Sequence, residues 1–289
     1  MAQGLPERAR TSLIGAGVGV VLLLVTWYTA HYVAVIKRVD VSILNGFAEL
    51  HRPNLDRLTH FVATLCNPHP YVVLAAVPVL VALARRRPRV AVTVGAIMLC
   101  ANETTQLLKP LLAGPRDLVW WNPLSNASWP SGHATAAMSL ALCAVIAAPA
   151  RRRPVVAAAM SAFAIAVCYS FLELGWHYPS DVLGGFLVAA TWTLLGVAAL
   201  SAYEARRPSP ASGATATDRP AFSIGQALTP AVAMLLAAAL LVGLILLARP
   251  HAVLTYARLH RTFVIGAGGI AVVGMALASG LMLTLRRGQ

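Results

Sequence analysis

The chain reads as an all-α integral membrane protein: a six-helix transmembrane bundle over 1–203, followed by two extra C-terminal transmembrane helices. Three observations predict this. Of 289 residues, 58% are hydrophobic and only 11% charged, whereas a soluble domain carries about a quarter charged residues. Apolar runs of about 20 residues, the length that crosses a bilayer core, recur along the whole chain. The positive charges gather between those runs. The net charge of +13 therefore reads as orientation in a membrane. No sustained basic stripe tracks a phosphate backbone, which excludes nucleic acid as a partner.

Eight runs qualify, at 13–36, 65–84, 90–108, 132–149, 154–173, 182–203, 226–248 and 262–285. The first follows Arg8 and Arg10 as a signal peptide would. It is too long for such a segment and lacks a strong cleavage signal, so it reads as a retained anchor with Tyr28 and Tyr32 in the aromatic belt. The stretch 37–64 is predicted to form an interfacial amphipathic helix that buries Phe47, Leu50, Leu55 and Leu58. Asn67-Pro68-His69-Pro70 interrupts the start of the second run. Glu103, costly in lipid, is expected to face the bundle interior from the third. Residues 204–225, rich in Pro, Ser, Thr and Ala, read as a flexible cytoplasmic linker. That makes 226–289 a two-span appendage. Cys66, Cys100, Cys143 and Cys168 form no CxxC or Cys/His cluster, so they read as small buried hydrophobes.

The loops set the expected topology. With a cytoplasmic N-terminus, the inner segments carry Arg8, Arg10, Arg85, Arg86, Arg87, Arg89, Arg151, Arg152, Arg153, Arg206, Arg207, Arg219, Arg286 and Arg287. That is 14 of the 23 Lys and Arg residues. The positive-inside rule then puts both termini in the cytoplasm of what reads as a bacterial inner membrane.

Three polar islands fall on the opposite face. They are Lys109 to Arg116 (KPLLAGPR), Pro130-Ser131-Gly132-His133, and Ser170 to Asp181 (SFLELGWHYPSD). Ser131 stands where the fourth run begins, and a helix N-terminus with its free N–H groups suits an anion. Gly132 allows close approach, and His133 is placed to donate a proton. His177 precedes Asp181 by four residues. The carboxylate is thus placed to accept from one imidazole nitrogen and leave the other to attack. Lys109 and Arg116 supply two cationic contacts, Arg as a planar fork. Trp120, Trp121, Trp129 and Trp176 read as belt anchors. The outer loops lack a carboxylate cluster suited to Mg²⁺, so neither metal nor cofactor is predicted.

These islands resemble the signatures of the type 2 phosphatidic acid phosphatase, or lipid phosphate phosphatase, family. The first signature is Lys, six residues, Arg-Pro; Lys109 and Arg116 match, and Asp117 replaces the Pro. The second, Pro-Ser-Gly-His, is intact. The third is Ser-Arg, five residues, His, three residues, Asp; Ser170, His177 and Asp181 match, and Phe171 replaces the Arg. The resemblance covers the chain to about residue 203 and implies a lipid-phosphatase-like six-helix bundle. It implies His177 as the nucleophile of a phosphohistidine, Asp181 as its orienting partner and His133 as the acid. It also implies Lys109, Arg116, Ser131 and Gly132 as phosphate ligands.

The expected function is extracytoplasmic hydrolysis of a lipid phosphate or diphosphate, of the polyprenyl diphosphate, phosphatidic acid or phosphatidylglycerol phosphate type. The alternatives are a non-catalytic lipid-phosphate binder or transporter, or a phosphotransferase. Arg249, Arg258 and Arg261 are candidates to replace the missing guanidinium. Glu173 reads either as a partner of Arg116 or an outer-loop Arg, or as a purely structural helix-end residue.

Overall fold

Helix α6, Gly132–Ala147, is the axis around which the bundle is built. In this computed structural model residues 5–116, 124–207 and 250–286 are described, with isolated positions between 225 and 247. The other helices are α1 (Glu7–Tyr32), α2 (Ala34–Ala48), α3 (Asp56–Thr64), α4 (Pro68–Ala84), α5 (Pro88–Leu111), α7 (Arg153–Glu173), α8 (Pro179–Arg206), α9 (Pro250–Leu259) and α10 (Arg261–Arg286). Ser131 caps α6 by accepting from the Ala134 N–H at 3.3 Å. Nearly every α6 residue is buried, and its small side chains let α4, α5, α7, α8 and α10 close around it. Helix α1 lies along α8. Proline opens α4, α5, α7 and α8 within their first two residues, where its missing N–H costs nothing.

Among the described residues, α1, α8, α10 and α7 with its preceding turn (Ala150–Glu173) are long and apolar enough to cross a membrane. A fifth arises if α3 and α4, bent by 60°, act as one broken span. Helix α5 fails that test because Asn102, Glu103, Thr104, Thr105, Gln106 and Lys109 fill its second half. Helix α6 is only 16 residues. The expected run at 226–248 and the linker at 204–225 lie largely outside the described residues.

The stretch 37–64 also differs from expectation. It forms two helices, α2 and α3, so the four proposed apolar positions share no single face. Phe47 is buried, whereas Leu50, Leu55 and Leu58 are exposed. Glu103 is exposed too, because Ala101 and Thr105 take the inward positions of that turn. The four cysteines are free, and all but Cys100 are buried.

The polar islands meet at one end of the bundle and the arginine clusters at the other. At the arginine end Arg8 donates to the Leu285 carbonyl at 3.2 Å, Arg85 to Ala147 at 2.6 Å and Arg89 to Arg207 at 2.9 Å. At the island end α6 and α8 come close enough that only glycine fits. A Cβ on Gly185 would stand 2.6 Å from the Ser131 carbonyl oxygen and 2.9 Å from the Thr135 nitrogen, both backbone atoms. Gly185→Ala should therefore lower the detergent melting temperature and disorder the start of α6, at a cost of about 1–3 kcal/mol or more for overpacking. Gly17→Ala, whose Cβ meets nothing within 4 Å, should melt like the parent protein.

Candidate active site

The turn after α7 brings the third island back over the bundle. Gly175 has φ 69, a left-handed conformation that a side chain resists. Its N–H donates to Leu172 at 3.0 Å, and the Trp176 N–H donates to Phe171 at 2.9 Å. That hydrogen-bond pair ends a helix and reverses the chain. Tyr178, Pro179 and Asp181 then start α8, with Asp181 Oδ2 accepting from the Tyr178 N–H at 3.0 Å.

Asp181 is completely buried and holds the site together. Its Oδ2 lies 3.3 Å from Nδ1 of His177, which orients the imidazole and leaves Nε2 as the nitrogen not held by the carboxylate. Its carbonyl accepts from the Ser131 N–H at 2.9 Å, fixing the start of α6 against the start of α8. The His133 and His177 ring centroids are 6.1 Å apart. Lys109, in the last turn of α5, places Nζ 3.8 Å from where a Cβ on Gly132 would stand. His177, His133, Asp181, Lys109, Ser131 and Gly132 thus come together at the N-terminus of α6.

Arg116 belongs to the same cluster through carboxylates. Its guanidinium donates to Asp181, to Asp40 from α2, and at 2.7 Å to Ser180. It lies 4.1 Å over the Tyr178 ring. Two buried acids and one buried base leave a net negative charge, offset in part by the donors around them. Burial pushes the Asp40 carboxyl up to about 6, against the pull of Arg116 and the Ser180 hydrogen bonds.

Phe171, at the position where the family signature has Arg, is fully buried. Its ring centroid lies 5.3 Å from that of His177 and 5.8 Å from that of His133. The second guanidinium of the signatures is thus replaced by an aromatic ring packed beside both imidazoles. The proposed substitutes are elsewhere. Arg258 and Arg261 are exposed, and neither is joined to these residues. Arg249 and Asp117 lie outside the described residues. Glu173 pairs with His51, at 3.5 Å, and with the Thr59 hydroxyl, also at 3.5 Å, since Arg116 is engaged by other acids.

Three residues here escaped the sequence reading. Asp40 is the lone acid of an apolar stretch, and that isolation was the available signal. Asn67 Oδ1 lies 2.7 Å from Nε2 of His133 and orients that ring. Trp176, read as a belt residue, stands 5.6 Å from His133, ring to ring. Trp129 is corrected likewise: it is fully buried beside Gly184, out of reach of any interface. Trp120 and Trp121 lie outside the described residues. Among the described residues no group of three or more His, Cys, Asp and Glu side chains converges to hold a metal ion.

Comparison with known proteins gives a family match and one structural likeness. The family model described as PAP2 superfamily matches residues 61–205. A solved transmembrane PAP2-type phosphatidylglycerolphosphate phosphatase from Bacillus subtilis is 19% identical, with 68% of this chain and 98% of that chain covered, at a TM-score of 0.49. Among curated proteins none matches.

Proposed function

Because this chain belongs to the PAP2 superfamily, we propose that it is a multi-pass membrane phosphatase that hydrolyses a lipid phosphate or diphosphate through a phosphohistidine. The observation that carries the reading is the buried His177–Asp181 pair set beside His133 at the capped start of α6.

Nε2 of His177 attacks phosphorus, and the bond to the leaving oxygen breaks. His133 gives its proton to that oxygen, so an alcohol or a phosphate departs neutralised by one charge. Asp181 stabilises the imidazole as it takes up positive character. Lys109 and the N–H groups of the first α6 turn hold the phosphoryl oxygens, where charge builds in the transition state. Water then attacks phosphorus, yields its proton to His133, and releases inorganic phosphate with His177 regenerated. Arg116 supports this from behind Asp181 and contributes its positive field to the phosphate.

The tail of a lipid substrate stays in the bilayer beside the bundle, with both chain termini on the far, arginine-rich side. The test is phosphate release by the purified protein in detergent containing EDTA. The panel comprises phosphatidic acid, phosphatidylglycerol phosphate and a polyprenyl diphosphate. Release from at least one lipid, undiminished by EDTA, is expected. Loss of release on chelation would overturn the mechanism.

A second reading rests on Phe171 and on the engagement of Arg116 by carboxylates. Both subtract a cationic phosphate contact, as a non-catalytic lipid-phosphate binder would tolerate. Saturable binding of the same lipids without turnover would decide for it.

A further inference from the structure

The end of the bundle opposite the histidines gathers several arginines, Arg8, Arg85 and Arg153 among them. Arg153, at the start of α7, is 6% exposed, and its Nε has no hydrogen-bond partner. Arg8, Arg85 and Arg87 lie near enough to repel it. Arg8 Nε is buried and unpartnered as well, and Glu204 is the carboxylate that faces Arg8. Enclosing guanidinium groups with unmade hydrogen bonds is costly unless an anion completes them.

A second feature adjoins the first. A crevice of about 220 Å³ opens between α1, α6, α8 and α10, with Thr11, Gly15, Leu142, Thr193, Gly280 and Thr284 on its walls. It begins one turn from Arg8, whose carbonyl accepts from Thr11 Oγ at 3.1 Å. Arg8 Nη2 in turn donates to Leu285, next to Thr284. The crevice is largely apolar, so its occupant has a hydrocarbon part, and Arg8, one turn from its edge and close enough to Arg153 to repel it, calls for a negative head. We propose that this end of the bundle binds an anionic phospholipid, with its phosphate on Arg8 and Arg153 and one acyl chain in the crevice. The site is independent of His177 and its role. Guanidinium groups suit a phosphate diester because their planar N–H pairs match its oxygens.

The experiment uses the full chain, delipidated in detergent, with native mass spectrometry and thermal melting as readouts. The probes are dioleoylphosphatidylglycerol, dioleoylphosphatidylcholine and inorganic phosphate. Phosphatidylglycerol should stay bound and raise the melting temperature more than either other probe. The double variant Arg8→Gln, Arg153→Gln should bind it at least about tenfold more weakly, having lost two charge-assisted contacts, with phosphate release unchanged. Gly280→Leu keeps both arginines and fills the crevice, since a Cβ there meets nothing within 4 Å. It should also weaken binding, and it carries the test if the double variant does not fold. Equal binding by parent and Gly280→Leu would overturn the proposal. So would an equal melting gain with phosphatidylcholine or with inorganic phosphate alone.

Discussion

Replacing His177 with Ala should abolish phosphate release and leave the melting temperature close to that of the parent protein. The imidazole takes its place from the Gly175 turn and from Asp181, and no core layer is built on it. The carboxylate it leaves behind still has the Tyr178 N–H and Arg116. Loss of the nucleophile removes the covalent route, and the remaining electrostatic contacts sustain only a residue of the rate, about 10⁶-fold below the parent. His133→Ala should cost less, about 10²–10⁴-fold, as loss of an acid does. A phosphorylated species trapped by acid quench in the parent and missing in His177→Ala would locate the intermediate. Undiminished release by His177→Ala would sink the phosphohistidine mechanism.

The largest effect on stability is expected at Arg116. Its guanidinium joins Asp40, 76 residues away in sequence, to Asp181, 65 away on the other side. Arg116→Ala leaves two buried carboxylates side by side with their shared base gone, and removing one partner of a buried pair costs about 3–5 kcal/mol. Thermal melting in detergent should show a large drop or an unfolded product. Arg116→Lys should recover only part, because an ammonium lacks the planar fork that serves both acids. Asp40→Asn should be far milder, since Arg116 then keeps a neutralising partner in Asp181. If Arg116→Ala melted with the parent, the carboxylate clamp would carry no weight in the fold.

What could be read from sequence was whatever is encoded locally. Ser131 ahead of an apolar run, and His177 one helical turn before Asp181, are short-range patterns whose geometry follows from the helix itself. The clamp and the ring contacts are long-range. Asp40 and Asn67 become site residues only when α2 and the start of α4 fold against α6 and α8. Neither carries a neighbouring motif. Aromatic residues misled for a related reason. Trp129 has the composition context of a belt residue, yet the Gly184 gap in α8 takes its indole into the core. Counting apolar runs cannot by itself separate spans from core helices, because hydrophobicity reports burial, and burial in protein and burial in lipid leave the same trace. Helix α6 is apolar on all sides because other helices surround it.

That enclosure bears on depth. Sixteen residues rise only about 24 Å at 1.5 Å each, while the hydrocarbon slab measures about 30 Å. At least one end of α6 is therefore sunk below the level of the lipid headgroups. Its residues are nearly all buried against protein, so bilayer thickness exerts little pull on its length, and the surrounding helices fix how far down each end sits. If the Ser131 end is the sunken one, a phosphate would have to descend to meet it. Water for the second half-reaction would then arrive by the same recess.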